Sequence, residues 1–191
     1  ASQTADLIVV GGGIVGLATA YRWIERFPDR SVTVLEAEPE VGQHQSGHNS
    51  GVLHSGIYYK PNSQKATTCR KGKAAMEAFC DQHSIPWDRC GKVVVATTKQ
   101  ELEALDRIAQ RGTANGVAFE RIDTDQLRER EPNTAGIAAL LVPETGIVNY
   151  AVVCETLARL IRDSGAGCDV ITLAKVNSIE PQSGSVTVGL A

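Results

Sequence analysis

Three histidines and four glycines lie between Val41 and Pro61, in the sequence VGQHQSGHNSGVLHSGIYYKP. His44, His48 and His54 could ligate a metal, because imidazole nitrogens are common metal ligands. The glycines between them argue against the fixed spacing that a metal site needs. Each histidine could instead have a structural role or act as an acid or base, and these alternatives stay open on the pattern alone.

A second candidate for chemistry is the glycine-rich turn from Gly11 to Gly16, which contains the pattern G-x-G-x-x-G. The apolar run Leu7–Val10 before it predicts a buried strand, and apolar residues at helical spacing after it predict a helix. In such a turn the first glycine permits the tight bend, the second lets backbone approach a pyrophosphate, and the third lets helix and strand pack closely. The alternative is a glycine turn without a ligand.

An acidic residue follows the turn at a distance that suits a dinucleotide site. Glu36 ends a second predicted strand, Ser31–Glu36, and lies 20 residues after Gly16. A carboxylate at this position can accept both hydrogen bonds from a ribose diol and repels a 2′-phosphate. We therefore expect FAD or NAD as the ligand, rather than NADP.

The segment between Glu36 and Gly56 is expected to be a loop. It contains Pro39 and four glycines, and each glycine inside a helix costs about 1 kcal/mol. Ser46, Asn49 and Ser50 lie beside Gly47 and Gly51, so the loop can offer hydroxyl and N–H donors to a pyrophosphate and reach a bulky ring system beyond it. These features favour a flavin over a nicotinamide.

The remaining pattern predicts an α/β chain in three segments. We expect the first part of an FAD-binding domain at 1–84, a partial substrate domain at 85–145 and the second part of the FAD-binding domain at 146–191. The elements expected after the loop are helices over 62–83 and 149–164, a capping box at Thr98 and Glu101, a helix capped at Asp123, and strands over 92–97, 117–122, 170–173, 176–179 and 185–188. A parallel sheet with so few strands leaves the domain unfinished, so we expect truncation at the carboxyl terminus.

Composition restricts the partners. Lys and Arg number 19 and Asp and Glu 22, for a net charge of -3, which gives no basic excess for nucleic acid. The five cysteines are odd in number and form no C-x-x-C pair, which favours reduced thiols and a cytoplasmic location. The start lacks a basic region followed by an apolar run, so we expect no secretion signal; the missing initiator Met is expected to reflect trimming or processing.

Three stretches, DLIVVGGGIVGLATAYRW, VTVLEAE and GQHQSGHNSGVLHSGIYYKPNSQKA, resemble the amino-terminal half of the D-amino-acid-oxidase-like superfamily of FAD-dependent oxidoreductases. The similarity continues through TGIVNY and GAGCDVITLAKVNSIE. Within the superfamily, the HNSGVLHSGIYYKP stretch is most similar to the L-2-hydroxyglutarate oxidases and dehydrogenases. The resemblance implies a Rossmann-type FAD-binding domain with an inserted α+β substrate domain.

The resemblance also implies a set of residues that contact FAD. The pyrophosphate would lie at the glycine turn, the adenosine ribose at Glu36, the flavin at the polar loop, and the adenine at the backbone of Val176. The residues expected to bind the cofactor are Gly11, Gly13, Ile14, Val15, Gly16, Glu36, Ala37, Ser46, His48, Asn49, Ser50, Gly51, Val52 and Val176.

His54 is the expected catalytic base. Oxidation of a 2-hydroxy acid removes the hydroxyl proton as hydride leaves for flavin N5, and a histidine with a pKa of about 6.5 is a suitable acceptor. The alternative is that His54 only hydrogen-bonds the cofactor. Tyr58, Tyr59 and Lys60 are the expected substrate contacts, Lys60 because a dicarboxylate requires cations; packing of a loop tip is the alternative for these three.

The activity that the resemblance implies is oxidation of L-2-hydroxyglutarate to 2-oxoglutarate, with electrons passed to a quinone or oxygen. A location in the cytoplasm, with peripheral association at the inner membrane, is compatible with it. Two alternatives stay open: an FAD-dependent amine or amino-acid oxidase of the same superfamily, and a fragment that binds a dinucleotide without catalysis.

Overall fold

The computed structural model describes residues 3–165 and 167–191. In chain order the elements are β1 (Leu7–Val10), α1 (Ile14–Arg26), β2 (Val32–Leu35), β3 (Val52–Leu53), α2 (Gln64–Gln82), β4 (Trp87–Asp88), β5 (Lys92–Ala96), α3 (Lys99–Ala114), β6 (Glu120–Ile122), α4 (Thr124–Arg130), β7 (Ala138–Val142), β8 (Gly146–Val148), α5 (Tyr150–Asp163), β9 (Asp169–Ile171), β10 (Val176–Gln182) and β11 (Ser185–Leu190).

The chain divides into two compact units, residues 1–49 with 149–191, and residues 50–148. The sequence instead predicted boundaries after residues 84 and 145, so that 50–84 was assigned to the cofactor-binding part. In the structure this segment, which contains β3 and α2, groups with 85–148. The assignment of cofactor and substrate roles to the segments stays a prediction.

The first unit is built on a parallel sheet in the order β1-β2-β9. Leu7 is paired with Val32 and Thr33 with Asp169. β2 is central and its four residues are buried, because a strand that is hydrogen-bonded on both sides and covered on its faces meets little water. Helices α1 and α5 pack against each other, and their buried residues include Leu17, Val153, Leu157 and Ile161.

The β1-α1-β2 arrangement and the three parallel strands agree with the sequence prediction. The third parallel strand, β9, ends earlier than the predicted strand over 170–173. Leu173 adopts a φ of 55° and turns the chain away from the sheet. The hairpin of β10 and β11 is longer than expected and includes Pro181. Proline is tolerated there because a two-stranded sheet has edges on both sides.

The second unit contains two antiparallel sheets, β5-β7-β6 and β3-β8-β4. Helices α3 and α4 pack on β7. Leu105 of α3 belongs to a core with Leu140 and Val142, and Leu127 of α4 belongs to a second cluster with Ile122 and Ala139. The predicted α3 start is confirmed, since the Glu101 carboxylate accepts the Thr98 N–H at 3.1 Å. The Asp123 cap is also confirmed, since its side chain accepts the Gln126 N–H at 2.9 Å.

The sequence prediction omitted the strands β3, β4, β7 and β8. It also began the strand before Ile122 too early, because the residues from Val117 to Phe119 are not in a strand and only Glu120–Ile122 pairs with β7. The run AALLV of β7 is apolar and short, a pattern that fits a buried strand and a short helical segment equally well. In the structure this run is a strand, because it pairs with both β5 and β6.

All five cysteines are free thiols. Within residues 3–165 and 167–191, none of the helices is long and apolar enough to span a bilayer.

Candidate active site

The glycine turn follows β1 directly. Gly11 has a φ of +104°, which only glycine adopts readily, and its N–H donates to the Leu35 carbonyl at 2.8 Å. A Cβ added at Gly16 would lie 2.1 Å from the Gly11 carbonyl oxygen. The turn and the close approach of helix to strand therefore require glycine at both positions, as the pattern predicts.

The amino-terminal end of α1 offers backbone donors. Gly13 is the N-cap residue and provides no capping side chain, and the first turn contains no acidic residue. The first intrahelical bond is donated by the Leu17 N–H to the Gly13 carbonyl at 3.0 Å, while the Ile14 N–H donates to Ser46 Oγ at 2.9 Å. The N–H groups that precede this bond, together with the positive end of the helix dipole, form a suitable place for a phosphate.

The Glu36 carboxylate is held beside this turn. Its Oε2 accepts the Gly12 N–H at 2.6 Å and its Oε1 accepts the Glu38 N–H at 2.9 Å, and the residue is 8% exposed. An ionised carboxylate can accept about four hydrogen bonds, so acceptor capacity remains for a ribose. The two hydrogen bonds from backbone N–H groups fix the orientation of the Glu36 carboxylate.

A cleft of about 320 Å³ opens at the carboxyl ends of β1 and β2. In open α/β sheets, ligands bind at this edge. Six residues predicted to bind the cofactor line the cleft, namely Gly11, Gly13, Glu36, Ala37, Ser46 and Val176. Seven further lining residues were not predicted from the sequence, namely Val10, Leu35, Gly42, Gln43, His44, Ala174 and Lys175.

The missed residues have recognisable positions. Val10 and Leu35 are the last residues of β1 and β2, and Ala174 and Lys175 directly precede the predicted Val176. Strand ends could have been inferred from the general rule for parallel sheets. Ile14, Val15 and Gly16, which were also predicted, form the first turn of α1.

The polar loop after Glu36 contains turns and no α-helix up to β3 among the described residues, which agrees with the sequence prediction. His48 Nδ1 lies 3.1 Å from the His44 carbonyl oxygen, and the Asn49 side chain donates to the carbonyls of Gln45 and Ser46 at 3.0 and 2.8 Å. These bonds give the loop a fixed shape without a helix.

The remaining predicted cofactor residues, Ser50, Gly51 and Val52, belong to the second unit. Gly51 has a φ of +68°, and a Cβ there would lie 2.8 Å from the Val148 carbonyl oxygen. The Gly51 carbonyl in turn accepts the Val148 N–H at 2.9 Å. Their contact with a cofactor stays a prediction.

The three histidines of the loop have different surroundings. His44 Nε2 lies 3.2 Å from Glu38 Oε1, whereas His54 belongs to the other unit. Across residues 3–165 and 167–191, no three His, Cys, Asp or Glu side chains are grouped as metal ligands would be.

His54 follows β3 directly, in the second unit. Cys69 Sγ donates to the His54 carbonyl at 3.2 Å, which ties the backbone of His54 to α2. Partial burial lowers the pKa of the His54 imidazole, and the positive charge of Lys92 lowers this pKa further. Both effects favour the neutral form of the imidazole, which is the form that can accept a proton.

Tyr58, Tyr59 and Lys60 form a tethered turn. Arg111 donates to the Tyr58 carbonyl at 3.1 Å, and the Asn115 side chain donates to the Tyr59 carbonyl at 2.9 Å. The Lys60 carbonyl accepts the Ser63 hydroxyl at 2.6 Å. The backbone is thus fixed, while the Tyr58 side chain remains 40% exposed.

Lys92 is the residue of this region that the sequence prediction missed. Its ammonium lies 4.2 Å from the centroid of the Tyr58 ring, and its charge acts on both His54 and Cys69. The signal in the sequence is a lysine at the first position of the otherwise apolar strand KVVVA, which is also compatible with an ordinary strand end.

The family model of FAD-dependent oxidoreductases matches residues 6–190. The chain belongs to this family. It is 41% identical over 183 residues to L-2-hydroxyglutarate dehydrogenase of Escherichia coli K12, covering 96% of this chain and 43% of that protein. It is 45% identical over 179 residues to the protein of the same name from Indibacter alkaliphilus, covering 93% and 44%, and 42% identical over 180 residues to the human mitochondrial protein of that name, covering 94% and 38%.

The fold of this family member is also found in solved structures. L-alpha-glycerophosphate oxidase from Mycoplasma pneumoniae with FAD bound superposes with a TM-score of 0.90 at 26% identity, covering 98% of this chain and 50% of that chain. Glycine oxidase from Geobacillus kaustophilus superposes with a TM-score of 0.87 at 21% identity, covering 98% and 51%. The predicted Rossmann-type fold with an inserted α+β segment is confirmed. The chain spans less than half the length of the three dehydrogenases.

Proposed function

We propose that the protein containing this chain oxidises L-2-hydroxyglutarate to 2-oxoglutarate with FAD as cofactor. The observation that carries the proposal is the 41–45% identity, over more than nine-tenths of the chain, to proteins named L-2-hydroxyglutarate dehydrogenase. The relatives favour this activity over an amino-acid oxidase and over a dinucleotide-binding fragment without catalysis.

The first unit supplies the cofactor site in this proposal. The N–H groups at the start of α1 bind the pyrophosphate, with Gly11, Gly13 and Gly16 keeping the approach open. Glu36 accepts hydrogen bonds from the adenosine ribose, and Ala37 and Val176 border the adenosine part. Ile14, Val15, Ser46, His48 and Asn49 of this unit are further proposed contacts. Ser50, Gly51 and Val52, which belong to the second unit, are also proposed to contact the cofactor. When bound, FAD supplies an acceptor for two electrons and a proton at flavin N5.

The second unit supplies the base and substrate contacts. His54 takes the proton from the C2 hydroxyl as the C2 hydride departs, so that one C–H and one O–H bond break and the carbonyl of 2-oxoglutarate forms. A neutral imidazole can do this, and burial and the Lys92 charge lower the pKa of His54 and so favour the neutral form. Tyr58, Tyr59 and Lys60 contact the substrate from the tethered turn.

We further propose that a quinone or oxygen receives the electrons and that the protein acts in the cytoplasm, with peripheral contact to the inner membrane. Two electrons per substrate must leave the reduced cofactor, and both acceptors can take two electrons and two protons. Steady-state assays with a water-soluble quinone under nitrogen, and with oxygen alone, identify the acceptor. Sedimentation of the protein with and without membrane vesicles tests the peripheral contact.

The substrate is tested by anaerobic mixing of the FAD-loaded intact protein with L-2-hydroxyglutarate, while flavin absorbance is followed. Bleaching with L-2-hydroxyglutarate, together with no bleaching by L-glutamate, supports the proposal. L-glutamate is the matched control because it carries an amino group where the substrate carries the hydroxyl. Bleaching by L-glutamate alone would replace the proposal with the amino-acid oxidase alternative.

A further inference from the structure

Lys92 is a half-buried cation at the first position of β5. No carboxylate lies within 4.0 Å of its ammonium in the described part of the chain, residues 3–165 and 167–191. The face of the Tyr58 ring, 4.2 Å away, provides partial compensation through its electron density. Burial lowers the pKa of Lys92, as expected for a cation removed from water without an ion pair. The Lys92 ammonium is therefore available to bind an anion.

Four other cations of the second unit, Lys65, Arg70, Lys73 and Arg89, are paired with carboxylates or exposed to water. Arg70 is paired with Glu144 at 2.7 Å. Lys73 and Arg89 share Glu77 at 2.5 and 3.4 Å. Lys65 lies 4.8 Å from the centroid of the Tyr59 ring, in the same kind of contact as Lys92, but its side chain is exposed to water. Lys92 differs from these four cations because it is partly buried and is not paired with a carboxylate of the described residues.

The position of Lys92 relates it to the proposed base. It lies at the start of β5, its charge acts on the His54 imidazole, and Tyr58 holds its ammonium. Cys69, which donates to the His54 carbonyl, also lies within its field. A carboxylate bound at Lys92 would therefore lie beside the Tyr58 ring, on the same segment of the chain as His54.

We propose that Lys92 binds a carboxylate of the substrate beside His54, with the Tyr58 ring holding the ammonium in place. This inference rests on the proposed function and specifies which cation receives the dicarboxylate. Lys60, the cation predicted from the sequence, is exposed at the turn, whereas Lys92 is partly desolvated. A desolvated charge binds a carboxylate more strongly than an exposed one, because water competes less.

The test uses glutarate, which has both carboxylates of the substrate and no hydroxyl to oxidise. Its binding to the FAD-loaded intact protein is measured by calorimetry for wild type, Lys92→Met, Lys92→Arg and the matched control Lys65→Met. Lys92→Met should weaken binding by about 10- to 100-fold, since a hydrogen bond between charged groups is lost. Lys92→Arg should retain most of the affinity, and Lys65→Met should match wild type. Lys92→Gln, which keeps a polar side chain, replaces Lys92→Met if the latter does not fold.

The outcomes separate this inference from the proposed function. If wild type oxidises L-2-hydroxyglutarate and binds glutarate but Lys92→Met and Lys92→Gln bind glutarate as tightly, the role of Lys92 is wrong and the proposed function stands. Equal losses of glutarate affinity in Lys92→Met and Lys65→Met would show that loss of any nearby positive charge weakens binding. This result would also overturn the role of Lys92. If FAD-loaded wild type neither binds glutarate nor oxidises the substrate, both proposals fail.

Discussion

The cleft of the first unit and the His54 region of the second unit are built in different ways. In the cleft, backbone sets the geometry: Gly11 and Gly16 allow the tight turn and the close packing beside it, and Glu36 is held by the N–H groups of Gly12 and Glu38. The His54 region is made by side chains, with Lys92 stacked on Tyr58. A site formed by backbone depends on a few glycine positions, whereas a site formed by side chains depends on charge and burial.

This difference predicts different consequences of mutation. Substitutions in the cleft should change folding and cofactor retention together, because the same atoms serve both. Substitutions around His54 should change chemistry or substrate affinity while the protein stays folded.

The largest effect is expected for His54→Ala in the intact protein. Loss of a general base typically slows the chemical step by about 10²- to 10⁴-fold. The rate of anaerobic flavin reduction by L-2-hydroxyglutarate measures this step. His83→Gln, which changes a histidine at the end of α2, is the control and should leave the rate unchanged. An unchanged rate in His54→Ala would remove His54 from the mechanism.

Gly16→Ala should destabilise the fold by about 3 kcal/mol, at the upper end of the usual range for overpacking. The new Cβ would lie 2.1 Å from the Gly11 carbonyl oxygen, and rigid backbone cannot yield as a side chain can. Denaturant unfolding measures the change, and cofactor retention should fall with it.

The matched control for this glycine is Gly72→Ala in α2. A Cβ at Gly72 meets nothing within 4 Å, so alanine should stabilise the helix by roughly 0.5–1 kcal/mol. Equal effects of the two substitutions would contradict the role of close packing at Gly16.

Glu36→Ala should lower the free energy of unfolding by about 2 kcal/mol even without cofactor, since hydrogen bonds to a charged group are lost. The N–H groups of Gly12 and Glu38 would lose their acceptor. Glu36→Gln keeps one acceptor oxygen and should fall between wild type and Glu36→Ala. Urea unfolding of the three proteins gives the comparison, and a stable Glu36→Ala would show that the two bonds contribute little.

The smallest effect concerns pH. A base must be neutral to act, so kcat/KM should fall only as pH drops through the His54 pKa, which burial and Lys92 hold below 6.5. Removal of the Lys92 charge raises this pKa, so Lys92→Met should move the acidic limb of the kcat/KM profile to higher pH. A limb that stays in place, or moves to lower pH, would show that Lys92 does not act on the base.

The two regions also differed in how far the sequence predicted them. The glycine turn and the parallel strands were predicted correctly because each depends on local pattern and fixed spacing, whereas the ribose contact of Glu36 stays a prediction. The Asn149 cap of α5 was likewise visible, and its side chain accepts the Ala151 N–H at 3.0 Å. Local rules of this kind need no knowledge of tertiary contacts.

The parts that were missed depend on contacts between distant segments. β7 pairs with both β5 and β6, and an apolar run alone does not reveal its partners. Lys92 lies 34 positions from Tyr58 in the sequence, yet its ammonium is stacked on that ring. Such a pair becomes visible only when the fold brings the two residues together.

We propose that the backbone at the start of α1, with Glu36 beside it, binds the diphosphate and ribose of FAD. A crystal structure of the intact protein with FAD tests this most directly. We expect diphosphate oxygens within hydrogen-bonding distance of N–H groups in the first turn of α1, and the adenosine ribose hydroxyls on the Glu36 carboxylate. A diphosphate bound elsewhere, with this cleft closed by protein side chains, would contradict it.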